Sequence, residues 1–170
     1  MVQKKEKLIS LISAVYNEAG VLEDFHNEAV KNLDKTKKSW EIIYVDDGSS
    51  DETPNILKNL SKKDTRVKVI RLSRNFGQEA ALSAGIVNAN GDAAILIDAD
   101  FQDPPILIND MVKEWDKGSD MVIAVRKSRK GESCFKKITA SILYKILNRY
   151  SEISIPQNTG YFRLIDRKMI

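Results

Sequence analysis

The sequence predicts an α/β fold: a mostly parallel sheet with helices on both faces. Three observations predict it. Short apolar, β-branched runs alternate with stretches of helical periodicity as far as residue 125. Polar tails rich in carboxylates follow the strands rather than the helices. A length of 170 residues with 42% hydrophobic and 30% charged content suits one soluble domain with a real core.

Each element has its own reason. Leu8–Val15 (LISLISAV) is apolar and β-branched and reads as a buried strand. Val21–Leu33 spaces Val21, Leu22, Phe25, Ala29, Val30 and Leu33 at helical intervals. Trp40–Val45 is the second strand, and Thr53–Leu60 a short helix with Pro54 in its first turn. Val67–Leu72 is the third strand. Gly77–Asn90 mixes small and apolar residues, as a helix packed close on a sheet does. Ala93–Ile97 is the fourth strand, Pro105–Trp115 a helix ending near Gly118, and Asp120–Val125 the fifth strand. Arg163–Ile170 reads as the first turn of a helix cut short. Residues 1–170 are therefore expected to be a single domain truncated at its C-terminus from a longer, membrane-associated protein.

The bulk numbers exclude several classes. A net charge of +3 does not argue for nucleic acid, and none is expected as a partner. The single cysteine, Cys134, rules out an internal disulfide and fits a reducing compartment. The start, MVQKKEKLISLISAV, lacks the apolar segment and cleavage site of a signal peptide. No stretch reaches the roughly 18 apolar residues of a membrane span, so this piece is expected to be soluble. There is no G-x-G-x-x-G after the first strand and no G-x-x-x-x-G-K-[ST]. Phosphates at a nucleotide site here would be held by side chains and a metal rather than by a glycine cradle.

In a parallel sheet the strand carboxyl ends share one rim, where ligands bind. The first strand brings Tyr16, Asn17 and Glu18 there, and the second Asp46, Asp47 and the Gly48-Ser49-Ser50 turn. The fourth brings Asp98, Asp100, Gln102 and Asp103, and the fifth Arg126 with Arg129 nearby. Carboxylates this close repel one another unless a cation lies between them, and Mg²⁺ takes one or two carboxylates plus water and phosphate oxygens. Arginine suits phosphate, and an aromatic ring can lie against a base. Each tail alone would be a turn or cap. Three with complementary chemistry predict a metal-diphosphate cleft. Asp103 is read instead as the N-cap of the helix entered through Pro104 and Pro105. His26, among Glu23, Asp24, Asn27 and Glu28, is read as a surface residue, and Cys134 is given no role.

Four segments carry a resemblance: Ala14-Val-Tyr-Asn-Glu18, Val45-Asp-Asp-Gly-Ser-Ser-Asp-Glu-Thr53, Arg74-Asn-Phe-Gly-Gln78 and Asp98-Ala-Asp-Phe-Gln-Asp-Pro-Pro105. Together they resemble the signatures of the inverting family-2 glycosyltransferases of GT-A fold. The subgroup they are most similar to is the polyprenyl-phosphate glycosyltransferases, such as dolichyl-phosphate mannose synthase and bactoprenol glucosyltransferase. The resemblance implies transfer of a hexose from UDP- or GDP-hexose to a polyprenyl-phosphate lipid, dependent on Mg²⁺ or Mn²⁺. It implies that Ala14, Tyr16 and Glu18 line the nucleoside pocket. Asp46 would bind base or ribose with Asp47 beside it. Asp98 would contact the nucleotide with Ala99 adjoining, Asp100 and Gln102 would hold the metal, and Arg126 would reach the donor phosphates. Asp98, Asp100 and Arg126 form the expected catalytic set.

Arg126–Arg149 carries eight basic residues against one acid, Glu132, a local net charge of +7. Phe135, Ile138, Ile142 and Ile146 recur within it at helical spacing. A basic amphipathic helix reads as a membrane-surface or partner-binding element, or as a core-facing helix with a solvated basic face. Beside a sugar-nucleotide site the first reading predicts an anionic membrane surface contacted by Arg129, Lys130, Lys136 and Lys137. The full-length protein then belongs at the cytoplasmic face of the membrane, with room for a homo-oligomer.

Asn158-Thr-Gly-Tyr-Phe-Arg-Leu-Ile-Asp166 resembles the family's Gly-Asp-Phe-Arg-Leu stretch, but Tyr161 stands where relatives often carry an Asp considered as a base. A hydroxyl acceptor needs its proton removed by a nearby group. A phosphate monoester, with a second pKa of about 6, is mostly dianionic at neutral pH and is already nucleophilic. Tyr161 therefore favours a phosphate acceptor. The alternatives are Asp166 or a later Asp as base, a saccharide-hydroxyl acceptor as in capsule or exopolysaccharide synthesis, or a nucleotide-sugar-binding module without turnover.

Overall fold

The computed structural model describes residues 7–125 and 159–170. Arg126, Arg129, Lys130, Lys136, Lys137, Cys134 and the expected basic helix lie outside the described residues. The chain divides into two compact units, Met1–Val122 with Tyr161–Ile170, and Ile123–Gly160. The first of them carries every contact described below.

The element order alternates strand and helix, as the periodicities predict. Strands β1 (Leu8–Val15), β2 (Ser39–Asp46), β3 (Val67–Arg71), β4 (Ala93–Leu96), β5 (Met121–Val125) and β6 (Thr159–Asp166) form one sheet in the order β3-β2-β1-β4-β6-β5. Helices α1 (Leu22–Lys35), α2 (Thr53–Lys63), α3 (Gln78–Val87) and α4 (Ile108–Asp116) connect them. β1 is parallel to β2, ending at Val15 opposite Asp46, and parallel to β4, with Ile12 opposite Leu96. β2 is parallel to β3. Among the described residues no helix is long and apolar enough to cross a membrane.

Strand alternation places helices on both faces. Ile43 and Val45 join Ile12, Ala94 and Leu96 in a buried cluster with Ala81 and Leu82 of α3. Between them Tyr44, fully buried, points to the other face, where its hydroxyl lies 3.2 Å from His26 Nδ1 on α1. α3 comes close to the sheet because Gly85 has no side chain. A Cβ there would collide with Ile12 Cγ2 and lie 3.2 Å from Val45 Cγ2.

Four local expectations are corrected. Residues 163–166 are not helical: they belong to β6, which runs antiparallel to β4 with Leu96 opposite Arg163 and Ala93 opposite Asp166. Phe162 and Leu164 are buried at alternate positions, a period of two that pairing with β4 rewards. Only Arg167–Met169 forms a short 3-10 turn. The helix expected from Pro105 opens as a 3-10 turn, Pro105–Leu107, before α4. Asp103 is buried and is not the N-cap residue, a position taken by Pro104 for the 3-10 turn and by Leu107 for α4. His26 is not a surface residue. It shares the core face of α1 with Leu22, Phe25, Ala29 and Leu33 and is 8% exposed.

Two predictions follow from this packing. Gly85→Ala should destabilise the protein by about 1–3 kcal/mol through overpacking, read as a lower denaturation midpoint at unchanged m-value. Burial lowers the pKa of His26, and the nearby charge of Asp64 offsets only part of that. The unfolded chain, with a histidine pKa of about 6.5, then binds the proton that folded His26 resists. The stability linked to His26 is therefore present above that value and is lost as pH falls towards the depressed folded pKa. Urea titrations between pH 8 and 5 should show a shallower loss in His26→Gln than in the parent; equal slopes would remove His26 as the cause.

Candidate active site

The tails of β1 and β2 are stitched together before they can present any side chain. Asn17 adopts a left-handed backbone, φ 56°. Its N–H donates to Ser49 Oγ at 2.9 Å, and its own Oδ1 accepts from Ser50 N at 2.9 Å. Glu18 N donates to Thr53 Oγ1 at 2.9 Å, and Asp51 accepts from the backbone N–H groups of Ala19 and Thr53. The Ser-Ser-Asp-x-Thr run thus builds one wall, holding Tyr16 and Glu18 at the rim.

The two aspartates after β2 have separate structural tasks. Asp46 is fully buried and closes its own turn, accepting from Ser49 N at 2.8 Å. Arg71 Nε lies 3.3 Å from its Oδ2, an ion pair without hydrogen-bond geometry. Asp47 reaches across to the segment after β3: Oδ1 accepts from Phe76 N at 2.8 Å and Oδ2 from Gly77 N at 2.9 Å. Gly48 makes this approach feasible. Its φ is +75°, and a Cβ would lie 2.5 Å from the Arg74 carbonyl carbon, so only glycine fits without backbone movement.

The β4 tail carries Asp98, Ala99 and Asp100. Asp98 Oδ1 accepts from Gln78 Nε2 at the start of α3. Asp100 Oδ1 accepts from Gln102 N at 2.9 Å across a turn in which Phe101 has φ 60°. An aromatic residue in that region is strained, and the Phe101 ring packs edge-on against buried Phe25 at 5.9 Å.

These tails enclose a cleft of about 340 Å³ lined by Ala14, Val15, Tyr16, Glu18, Asp47, Asn75, Gly77, Gln78, Asp98 and Asp100. Of the expected site residues, Ala14, Tyr16, Glu18, Asp47, Asp98 and Asp100 meet there. Asp46 and Ala99 are buried outside the lining, and Gln102 is exposed beside it. Asn75, Gly77 and Gln78 were given no role from sequence. The signal was present in Arg74-Asn-Phe-Gly-Gln78, a polar tail after a strand like the other three.

The electrostatics of the lining favour a cation. Partial burial raises the Glu18 pKa, and the negative charges of Asp100 and Asp51 raise it further. Among the described residues no three His, Cys, Asp or Glu side chains gather to hold a metal unaided. Mg²⁺ or Mn²⁺ shared with a diphosphate needs only one or two carboxylates, and the Asp100 side of the cleft fits that smaller requirement. At the edge of the cleft, Tyr161 donates its hydroxyl to Glu79 Oε1. That bond, together with some burial, raises the Tyr161 pKa, so Tyr161 is a proton donor at neutral pH and not a base. Asp166 fares no better as the alternative base. It lies opposite Ala93, at the other end of β4 from Asp98, and accepts from Trp115 Nε1 at 2.6 Å.

The described residues thus form an α/β domain whose mostly parallel sheet carries an acid-lined cleft at its strand ends. The model of glycosyl transferase family 2 matches residues 10–170, and the chain belongs to that family. It is 47% identical over 162 residues to an uncharacterized glycosyltransferase of Synechocystis sp., covering 95% of this chain and 51% of that protein. It is 38% identical over 162 residues to the bactoprenol glucosyl transferase of Shigella phage SfV, covering 95% and 53%. The chain therefore spans about half the length of these relatives. Among solved structures, the mannosyltransferase PcManGT from Pyrobaculum calidifontis in complex with GDP-Man and Mn²⁺ aligns with a TM-score of 0.65 at 18% identity, covering 98% of this chain and 46% of that one. The likeness establishes the GT-A fold.

The Asp47 bridge sets a prediction. Asp47→Ala leaves the N–H groups of Phe76 and Gly77 without their carboxylate. A stability loss of about 1–3 kcal/mol is expected, with faster hydrogen exchange confined to residues 75–78. Unchanged exchange there would remove Asp47 as the anchor.

Proposed function

We propose that the full-length protein is an inverting hexosyltransferase that moves a sugar from UDP- or GDP-hexose to a polyprenyl phosphate at the cytoplasmic face of the membrane. The observation that carries this reading is the convergence of Glu18, Asp98 and Asp100 with the half-exposed ring of Tyr16 in one cleft. A relative named bactoprenol glucosyl transferase supports the lipid acceptor.

In this reading Ala14, Tyr16 and Glu18 flank the nucleoside, Asp46 acts through the turn it closes, and Asp47 holds the opposite wall. Asp98 faces the nucleotide with Ala99 behind it. Asp100, with Gln102, would hold Mg²⁺ or Mn²⁺, which when bound neutralises charge on the departing diphosphate. Arg126 would reach the donor phosphates, while Arg129, Lys130, Lys136 and Lys137 face anionic lipid. The acceptor phosphate oxygen attacks the anomeric carbon from the face opposite the diphosphate. The sugar–diphosphate bond breaks with its electron pair, through an oxocarbenium-like transition state. The acceptor needs no deprotonation, which suits a site where Tyr161 stays protonated.

Full-length protein in membranes should transfer hexose to undecaprenyl phosphate and not to soluble sugars, and Asp100→Ala should lower transfer at least a hundredfold. A thermal-shift panel of UDP-, GDP- and CMP-sugars should show one donor raising the midpoint only with Mn²⁺. Normal activity in Asp100→Ala, or transfer to sugar hydroxyls alone, would overturn this reading.

A further inference from the structure

Three consecutive residues at the start of α3 are tied to two strand tails and to β6. Gly77 N donates to Asp47 after β2, Gln78 Nε2 to Asp98 after β4, and Tyr161 of β6 donates to Glu79. Gly77 sits at φ +93°, which starts the helix abruptly, and its N–H also meets Asn75 Oδ1 at 3.1 Å. Gly48 presses against the backbone of Arg74 and Asn75 from the other side. The segment is thus held at several points, and what it delivers into the cleft is the Gln78 amide.

We propose that Gln78 is a positioning residue for the donor nucleotide, fixing the Asp98 carboxylate through its side-chain amide. This rests on the transferase reading above. Asp98 has two rotatable side-chain bonds and stands two residues from Asp100, whose charge already reaches Glu18. The amide at Oδ1 opposes a swing of Asp98 towards the cation side of the cleft, where it would compete with Asp100. The amide N–H can only donate, so it takes Oδ1 and favours the carboxylate orientation that presents this oxygen to α3. The side chain must therefore be a neutral donor of this length. Glutamate would set two carboxyl groups against each other, and alanine would remove the donor at Oδ1.

The test uses full-length Gln78→Ala, Gln78→Glu and Gln78→Asn. Donor KM should rise about tenfold in Gln78→Ala, the size of one hydrogen bond to a charged group, with acceptor KM unchanged. Gln78→Glu should be worse than Gln78→Ala, and Gln78→Asn should recover part of the loss. Equal effects of alanine and glutamate, or an unchanged donor KM, would overturn the proposal. A double-mutant cycle of Gln78→Ala with Asp98→Ala, read by urea denaturation without substrate, should be non-additive. Additivity would overturn the proposal whatever the substrate. A parent protein that turns over no nucleotide-sugar while the cycle stays non-additive would instead count against the transferase reading.

Discussion

The cleft depends on one constraint, the parallel register of β1 with β2 on one side and β4 on the other. Val15 opposite Asp46 and Ile12 opposite Leu96 bring three polar tails to the same rim. A slip of one residue would turn every buried side chain to the opposite face. The slip is resisted because both faces are covered: Ile43 and Val45 meet α3, while Tyr44 meets His26 of α1. The core therefore sets where the acids stand. Nothing in the acids themselves would gather them, since Glu18, Asp98 and Asp100 repel.

That repulsion is carried in part by backbone donors. Asp47 takes two N–H groups, and both Asp47 and Asp98 lie at the N-terminus of α3, where the helix dipole favours negative charge. Buried Asp46 is paired with the exposed guanidinium of Arg71. Among the described residues Glu18 has no comparable donors, and its pKa is raised first by partial burial and then by the charges of Asp100 and Asp51. The acids thus divide into those that the fold has neutralised for its own construction and those whose charge faces the cleft. Only the second kind is available to a ligand.

Much of this was legible in the residues, and the limits have physical causes. The strands stood out because both faces are apolar, and the rim followed from their parallel order. The division between Asp46 and Asp47 was not legible: adjacent carboxylates look alike until their backbone partners, thirty residues apart for Asp47 and Gly77, are known. Gln78 was passed over because an amide at a helix start signals nothing by itself. His26 was misjudged because its acidic neighbours point outward while its own position, four residues after Leu22, points in. The strand at 163–166 was missed because an antiparallel strand placed between β4 and β5 needs a partner, β4, that lies about seventy residues earlier.

Tyr161 joins the two halves of the chemistry. It packs against the α3 face of the core and bonds Glu79, the neighbour of the residue that orients Asp98. Its phenol is held protonated by that bond, so it can fix the edge of the cleft but cannot accept a proton there. Of the two positions read as a base, Tyr161 is protonated and Asp166 lies at the other end of β4, so neither serves the cleft. For a hydroxyl acceptor that would be a defect, since the attacking oxygen would have to shed its proton unaided. For an acceptor that arrives as a dianion it removes a requirement, and the remaining demand is for positive charge to bring two anions together. In the proposed transfer that demand would fall on the basic residues of the sequence after Val125.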